Sequence, residues 1–585
     1  MNARVEAKIS PIDPNRLIGS VCAVHPGKVI VNLGDAAART GTSLYGHPLG
    51  TGQVGEFVLV ATEESILIGR VSSVRLVERE RLAIKPTIGE QKAVDPIGEI
   101  DLLATIDRLT DRIVPGISCY PRLGCRVYSP APDLMTSLIS QISSAVKNNS
   151  IITLNLGSVS GVADATVAVT PERLFGRHCA ILGATGGGKS FTIAKLAEEC
   201  GQLNAKALII DATGEFYTLG DMALHLSLGL PRHGEEEVHL PFSALEEQDL
   251  YGLFMPSGKV QGPKLRSAIQ SLRIFQILNS TADAKLIPLR DGLKASFSEG
   301  CILKLGRKRK PFEDAMRALR YQIEAPDAPF EIKNLANQIL HECCYPTAYD
   351  KTSENFGGSD NNEGYCSGLL SRITSVVAGR ELRVIFEPKG TNILTRIDDF
   401  IKSDQRILRI SLASIPYTFN AREIVANALG RRLLSFARAG QFKNKPVVVF
   451  LDEAHNFLNR RIGEDDVVVQ LDSFDQIAKE GRKHWLTLCL ATQRPRDLPE
   501  GVLSQVGTMI VHRLINGRDR DVVEKACGDI DRASVAFLPT LAPGQAAIVG
   551  VDFPFPLTVS FDKPNRRPDS SGPDYQTHWR ADRKT

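Results

Sequence analysis

The sequence predicts an α/β fold in which a helix-covered parallel sheet follows a small β-barrel region and is interrupted by a long helical insertion. Three observations predict it. Up to about residue 172, short apolar runs are broken by Gly and Pro turns. From about Phe175, apolar strands alternate with amphipathic helices, the pattern of a sheet buried on both faces. Between about residues 241 and 400 the alternation gives way to helical periodicity and then returns.

The 585 residues exceed what one core serves, so several units are expected. Residues 10–172 form the β-rich barrel region, with strands at 17–24, 29–34, 55–60, 66–71, 100–106 and 151–156. Residues 173–240 begin the sheet domain, with a strand at 178–182, a helix at 191–200 and a strand at 207–210. The insertion at 241–400 carries helical patterns at 264–278, 312–323, 332–342 and 369–377, and its polar run 352–362 reads as an exposed loop. Residues 401–562 complete the domain with strands at 407–410, 446–451, 486–491 and 509–512 and a helix at 421–438. The tail at 563–585 lacks periodicity and reads as extended or disordered, available to strap a neighbouring subunit.

Composition narrows the class. Hydrophobic residues at 43% and charged residues at 23% are the balance of a soluble globular protein. Nothing approaches 18 consecutive apolar residues, and no apolar stretch follows a basic start, so neither a membrane span nor a secretory signal is expected and the cytoplasm is the expected location. The eleven cysteines include no CxxC pair. Cys343 and Cys344 adjoin His341 and Glu342, but without a second pair a metal site is the weaker reading and buried thiols the simpler one. A net charge of +3 excludes a strongly basic monomer while permitting a basic channel built from a few side chains per subunit of a ring.

The chemistry concentrates at strand ends. Gly183-Ala184-Thr185-Gly186-Gly187-Gly188-Lys189-Ser190, followed by Phe191, matches GxxxxGK[ST] after an apolar strand and before a helix. Such a loop wraps backbone N–H groups around phosphate oxygens at a helix N-terminus. Lys189 then reaches the β- and γ-phosphates of ATP, and Ser190 ligates Mg²⁺. The run 447–453 is an apolar strand ending in Asp452 and Glu453, which assigns Asp452 to the Mg²⁺ shell and Glu453 to polarising the attacking water. Gln493 ends a further apolar strand and suits γ-phosphate sensing. Asp211 and Glu215, in Asp211-Ala212-Thr213-Gly214-Glu215-Phe216, face either the Mg²⁺ shell, a neighbouring subunit or solvent.

In the order and wording of these segments, with 480–483, 491–495 and 502–505, the chain resembles the HerA-type translocases of the HerA/FtsK branch of P-loop motors. The resemblance implies a RecA-like P-loop ATPase core with an N-terminal barrel of the family's type. It further implies a homohexameric ring that moves double-stranded DNA through its channel, with ATP at subunit interfaces. Arg177 and Arg482 match the family's two catalytic arginines, with the cis and trans roles left open and a structural salt bridge the alternative for each. Asp211 and Glu215 carry over as nucleotide-site residues, although Asp-Ala-Thr-Gly-Glu-Phe replaces the more usual Asp-Pro-His-Gly-Glu-Tyr wording.

For DNA contacts, the basic run 307–310 and the pair Arg460 and Arg461 are the candidates, with preference for the pair, on the loop leaving the catalytic strand. Through the resemblance the expected partner is a separate effector, a NurA-like nuclease, a sirtuin-like NADase or another nuclease, in DNA end processing or anti-phage defence. The competing reading is a scaffold that activates such an effector on binding ATP, without processive translocation. A conjugative or protein-export ATPase of the same superfamily is a third reading, for which no membrane anchor is visible.

Overall fold

A computed structural model of the chain describes residues 12–34, 43–44, 47–48, 52–76, 96–108, 110, 112–143, 151–160, 165–280, 283–326, 328–347, 354–379, 382–387, 389–458, 460–463, 468–527, 532–570, 572 and 575–579. They fall into two compact units, residues 1–203 with 487–570 and residues 204–486 with 571–585.

The first unit begins with the barrel. Lys28–Asn32, Leu17–His25, Arg126–Tyr128, Phe57–Ala61, Ser65–Leu76 and Pro96–Asp107 follow one another as antiparallel neighbours, and Pro96–Asp107 pairs back onto Lys28–Asn32 to close six strands. Alternation supplies the interior: within Lys28–Asn32 only Val29 and Val31 are buried, and they meet Ile18, Val58, Leu67, Ile100 and Val127. Closure leaves no unpaired strand edge around the ring.

The same unit holds a sheet ordered Thr166–Val169, Leu154–Val159, Leu557–Phe561, Gln545–Gly550, Val506–His512, His178–Leu182 and Leu486–Thr492. The last three are parallel and the others antiparallel. Leu154–Val159 and Thr166–Val169, grouped with the barrel region by sequence, belong here instead. Alternation marks a strand but not its sheet, and the partner Leu557–Phe561 comes from the far end of the chain. Gln545–Gly550 and Leu557–Phe561 themselves were not anticipated. Beyond them the described part of the tail is held by its own chain and includes the short helix Tyr575–His578: the N–H groups of Asn565 and Arg566 donate to the Glu198 carboxylate at 3.0 and 2.5 Å.

In the second unit, Val447–Leu451, Lys206–Asp211, Ile407–Ser411, Ala223–Leu228, Glu236–His239 and Thr391–Asn392 lie in that order, all parallel. Sequence reading missed Ala223–Leu228 and Glu236–His239, whose His225, Ser227, Glu236 and Glu237 dilute the apolar signal. The insertion is helical as expected, with Glu247–Phe254, Gln261–Ser280, Leu335–Glu342, Glu363–Ala378 and Ile393–Lys402 among its longer pieces. The run 352–362 is not a free loop over its described part. Asn355 and Ser359 form bridges to Lys308 and Cys344, and Gly357 is buried; residues 352–353 lie outside the described residues. Cys343 and Cys344 are buried, and burial pushes the Cys343 thiol up to about 12.

A guanidinium crosses the centre of this sheet. Arg409, on Ile407–Ser411, has no exposed surface and bonds Asp211 at 2.7 Å and Glu235 at 3.1 Å. Burial works against the Glu235 charge, but N–H donors from His233 and Arg232 and the Arg409 guanidinium hold its carboxyl at about 2. Replacing Arg409 with Met would leave two buried carboxylates unpaired, a loss of about 3–5 kcal/mol. A urea midpoint unchanged by Arg409→Met would contradict this account.

Candidate nucleotide-binding site

The phosphate loop lies where His178–Leu182, buried along its whole length, ends and the helix Lys189–Gln202 begins. Gly186 at φ 73° and Gly188 at φ 115° take left-handed conformations that let the chain turn back into the helix. Gly183 is required for another reason: a Cβ there would stand 2.6 Å from the His512 Cβ. The N–H groups of the first helical turn, including Ser190 and Phe191, have no carbonyl four residues back and are available to an anion. Lys189 is buried, and its Nζ reaches across the loop to donate to the Ala184 carbonyl at 3.3 Å. The Thr185 hydroxyl donates to the Gln493 side-chain oxygen, so the sensor candidate touches the phosphate loop directly.

His512, at the end of Val506–His512, supports the loop from below, and sequence reading gave it no role. It is fully buried, with Nε2 at 2.8 Å from the Thr192 hydroxyl and Nδ1 at 2.9 Å from the Gln545 carbonyl. A carbonyl only accepts, so Nδ1 carries the proton and Nε2 accepts from Thr192. Burial, with the nearby Lys189 charge, pushes the imidazole down to about 4. No local pattern distinguishes this histidine from any polar residue ending a strand.

The second unit carries an acidic edge. Asp452 is buried just past Val447–Leu451, and its Oδ2 accepts from Thr213 Oγ1 at 3.3 Å. Burial, then the charges of Asp211, Glu453 and Glu215, push its carboxyl well above the usual carboxylate range. A hard divalent cation with oxygen ligands fits such an edge. Among the described residues no group of three His, Cys, Asp or Glu side chains could hold a metal ion alone. Glu453 adopts φ 48°, uncommon for a residue with a side chain, and pairs with His455 at 3.3 Å.

Two of the expected residues are engaged within the fold. Asp211, expected at the nucleotide, is consumed inside the fold: its oxygens accept from the N–H groups of Gly214, Glu215 and Phe216 and from Arg409. It shapes the turn that presents Thr213 and Glu215, and Glu215 remains beside Asp452. Arg460, expected at DNA, pairs with the buried Glu423 at 2.9 Å, whereas Arg461, on the opposite face of the short strand Arg460–Ile462, is exposed.

The arginine candidates stand elsewhere. Arg177 is exposed and precedes His178–Leu182, so it lies at the opposite end of that strand from the phosphate loop. The six residues to Gly183 span roughly 20 Å of extended chain. Arg482 is likewise exposed and precedes Leu486–Thr492, whose other end leads to Gln493.

Fold and site define a P-loop ATPase with a RecA-like core. Within that class the chain is of the HerA type: the family models "Helicase HerA, central domain" and "Helicase HerA-like C-terminal" match residues 154–325 and 435–536. It is 23% identical over 412 residues to the DNA double-strand break repair helicase HerA of Saccharolobus solfataricus, covering 69% of this chain and 68% of that one. The Pyrococcus furiosus protein of the same description is 23% identical over 550 residues, with 88% of each chain covered. Similar solved structures include VirB4 of Thermoanaerobacter pseudethanolicus, at 15% identity and TM-score 0.40 over 73% of this chain and 100% of that one. Another is the plasmid coupling protein TrwB with a non-hydrolysable ATP analogue, at 15% identity and TM-score 0.41 over 78% and 95%.

The imidazole of His512 sets a pH dependence of stability. Its folded value of about 4 lies below the ordinary 6.5, so the unfolded chain binds more protons between them. Its contribution is therefore complete above about pH 6.5 and is lost as pH falls towards 4, a change of about 3 kcal/mol. Denaturant titrations across that window should show a shallower slope in His512→Gln than in the wild type.

Proposed function

We propose that this chain is the motor subunit of an ATP- and Mg²⁺-dependent double-stranded DNA translocase, working in the cytoplasm as a homohexameric ring. Residues 183–191 bind the nucleotide phosphates, and Lys189 neutralises the β- and γ-phosphates. Ser190 and Asp452 hold Mg²⁺, which when bound offsets the charge that develops on the phosphoryl group. Glu453 polarises the attacking water. Gln493, bonded to Thr185, registers whether the γ-phosphate is present.

The observation that carries the ring is the place of Arg177. A strand's length from its own phosphate loop, its guanidinium serves the nucleotide of an adjacent copy, and Arg482 is assigned the same kind of role. The relatives' descriptions as double-strand break repair helicases support DNA as the load. By the same likeness, a separate nuclease or NADase is the proposed effector.

Two experiments test this reading. Glu453→Gln should keep ATP binding and lose hydrolysis by about 10²- to 10⁴-fold. If duplex DNA fails to stimulate wild-type hydrolysis while the effector still requires ATP binding, a scaffold and not a motor is at work. In mixed rings, Arg177→Ala and Lys189→Ala subunits, each inactive alone by about 10³-fold or more, should recover part of the ATPase rate because intact interfaces re-form. No recovery, or a persistent monomer by native mass measurement with ATP and duplex DNA, overturns the shared site.

A further inference from the structure

The positive charge of this chain is concentrated in one part of the helical insertion. Residues 283–323 carry ten basic and five acidic side chains, a net +5, which leaves the rest of the +3 chain at −2. This segment packs with the end of Gln261–Ser280 around a small apolar core that includes Ile274, Leu278, Leu293, Ile302, Ala315, Leu319 and Ile323. Its charge is displayed outward: Lys294, Arg307, Lys308, Lys310, Arg317 and Arg320 are all exposed, and among the described residues none has an acidic partner. Two of its cations are neutralised: Lys304, buried against Glu342, and the part-exposed Arg309, paired with Glu313.

The cations are grouped by the packing. An added Cβ at Gly292, near the end of Ile287–Leu293, would touch the Pro311 Cβ at 3.6 Å, so Lys294 and the 307–310 run converge at one end of the lobe. Along Arg309–Ala318, Lys310 and Arg317 are seven residues apart and share a face, about 10 Å from each other. The first turn of that helix holds no acidic residue. Cations at a helix start oppose the macrodipole, so local helix stability does not account for this arrangement.

We propose that this lobe is a docking surface for the phosphate backbone of duplex DNA, distinct from any contact made by Arg461. The partner class rests on the DNA-motor reading above, and the position rests on the charge distribution. An array of exposed cations in a segment where basic side chains outnumber acidic ones ten to five suits a continuous polyanion read without regard to sequence. It would hold the duplex outside the catalytic strands.

The test is duplex binding by the full chain, followed by fluorescence anisotropy against salt concentration, for wild type and for Arg307→Ala/Lys308→Ala/Lys310→Ala. Loss of three phosphate contacts should flatten the slope of log K against log salt by about 2.7, while ATP hydrolysis measured without DNA is unchanged. A second variant, Arg317→Glu/Arg320→Glu, should weaken binding further at low salt. If wild type binds DNA and neither variant alters slope or affinity, the lobe is a solvated face and the proposal fails. If wild type does not bind DNA at all, the DNA-motor reading fails first. Binding to phosphatidylserine vesicles but not to duplex, lost in the same variants, overturns the choice of partner.

Discussion

Arg409 places a full positive charge in the interior of the second unit, with no exposed surface, and the acidic edge is built around it. Removing a guanidinium from water is costly, and only closely bonded anions offset that cost. Asp211 and Glu235 do so, but neither is spent on Arg409 alone. Asp211 also gathers three backbone N–H groups and so bends the chain after its strand into the turn bearing Thr213 and Glu215. Glu235 likewise takes the N–H groups of Arg232 and His233 and fixes the loop before the next strand. A lysine offers no planar fork for two carboxylates. The geometry around Asp452 therefore depends on a residue that never touches nucleotide.

Each unit has its own electrostatic character. The phosphate loop carries Lys189 and is propped by an imidazole that burial keeps neutral, so its positive character comes from one side chain and from backbone N–H groups. The other edge holds several carboxyl groups near one another, and burial together with their mutual repulsion raises the Asp452 carboxyl.

What the sequence made legible follows from distance along the chain. The phosphate loop is readable because its chemistry, its glycines and its helix start all lie within eight residues. Asp452 and Glu453 are readable because an apolar strand leads directly to them. The structural bonding of Asp211 was not legible because its partner Arg409 is 198 residues away. His512 escaped notice because its partners Thr192 and Gln545 lie on separate elements, one of them 320 residues distant. The strands at 154–159 and 166–169 were credited to the barrel for the same reason, since the strand that claims them is not reached until residue 557. Arg460 looked like a free cation until Glu423, on an earlier helix, was seen to neutralise it.

The helix that starts at Lys189 is gripped near its other end. Glu198, only 2% exposed, accepts two successive N–H groups from the segment at Asn565 and Arg566. A rod of 14 residues, about 21 Å long, thus joins the phosphate loop to residues more than 360 positions later. For protein engineering this sets a boundary. A shortened chain that stops before Asn565 deprives the buried Glu198 carboxyl group of both donors, whereas a fusion appended after residue 570 leaves the clasp closed.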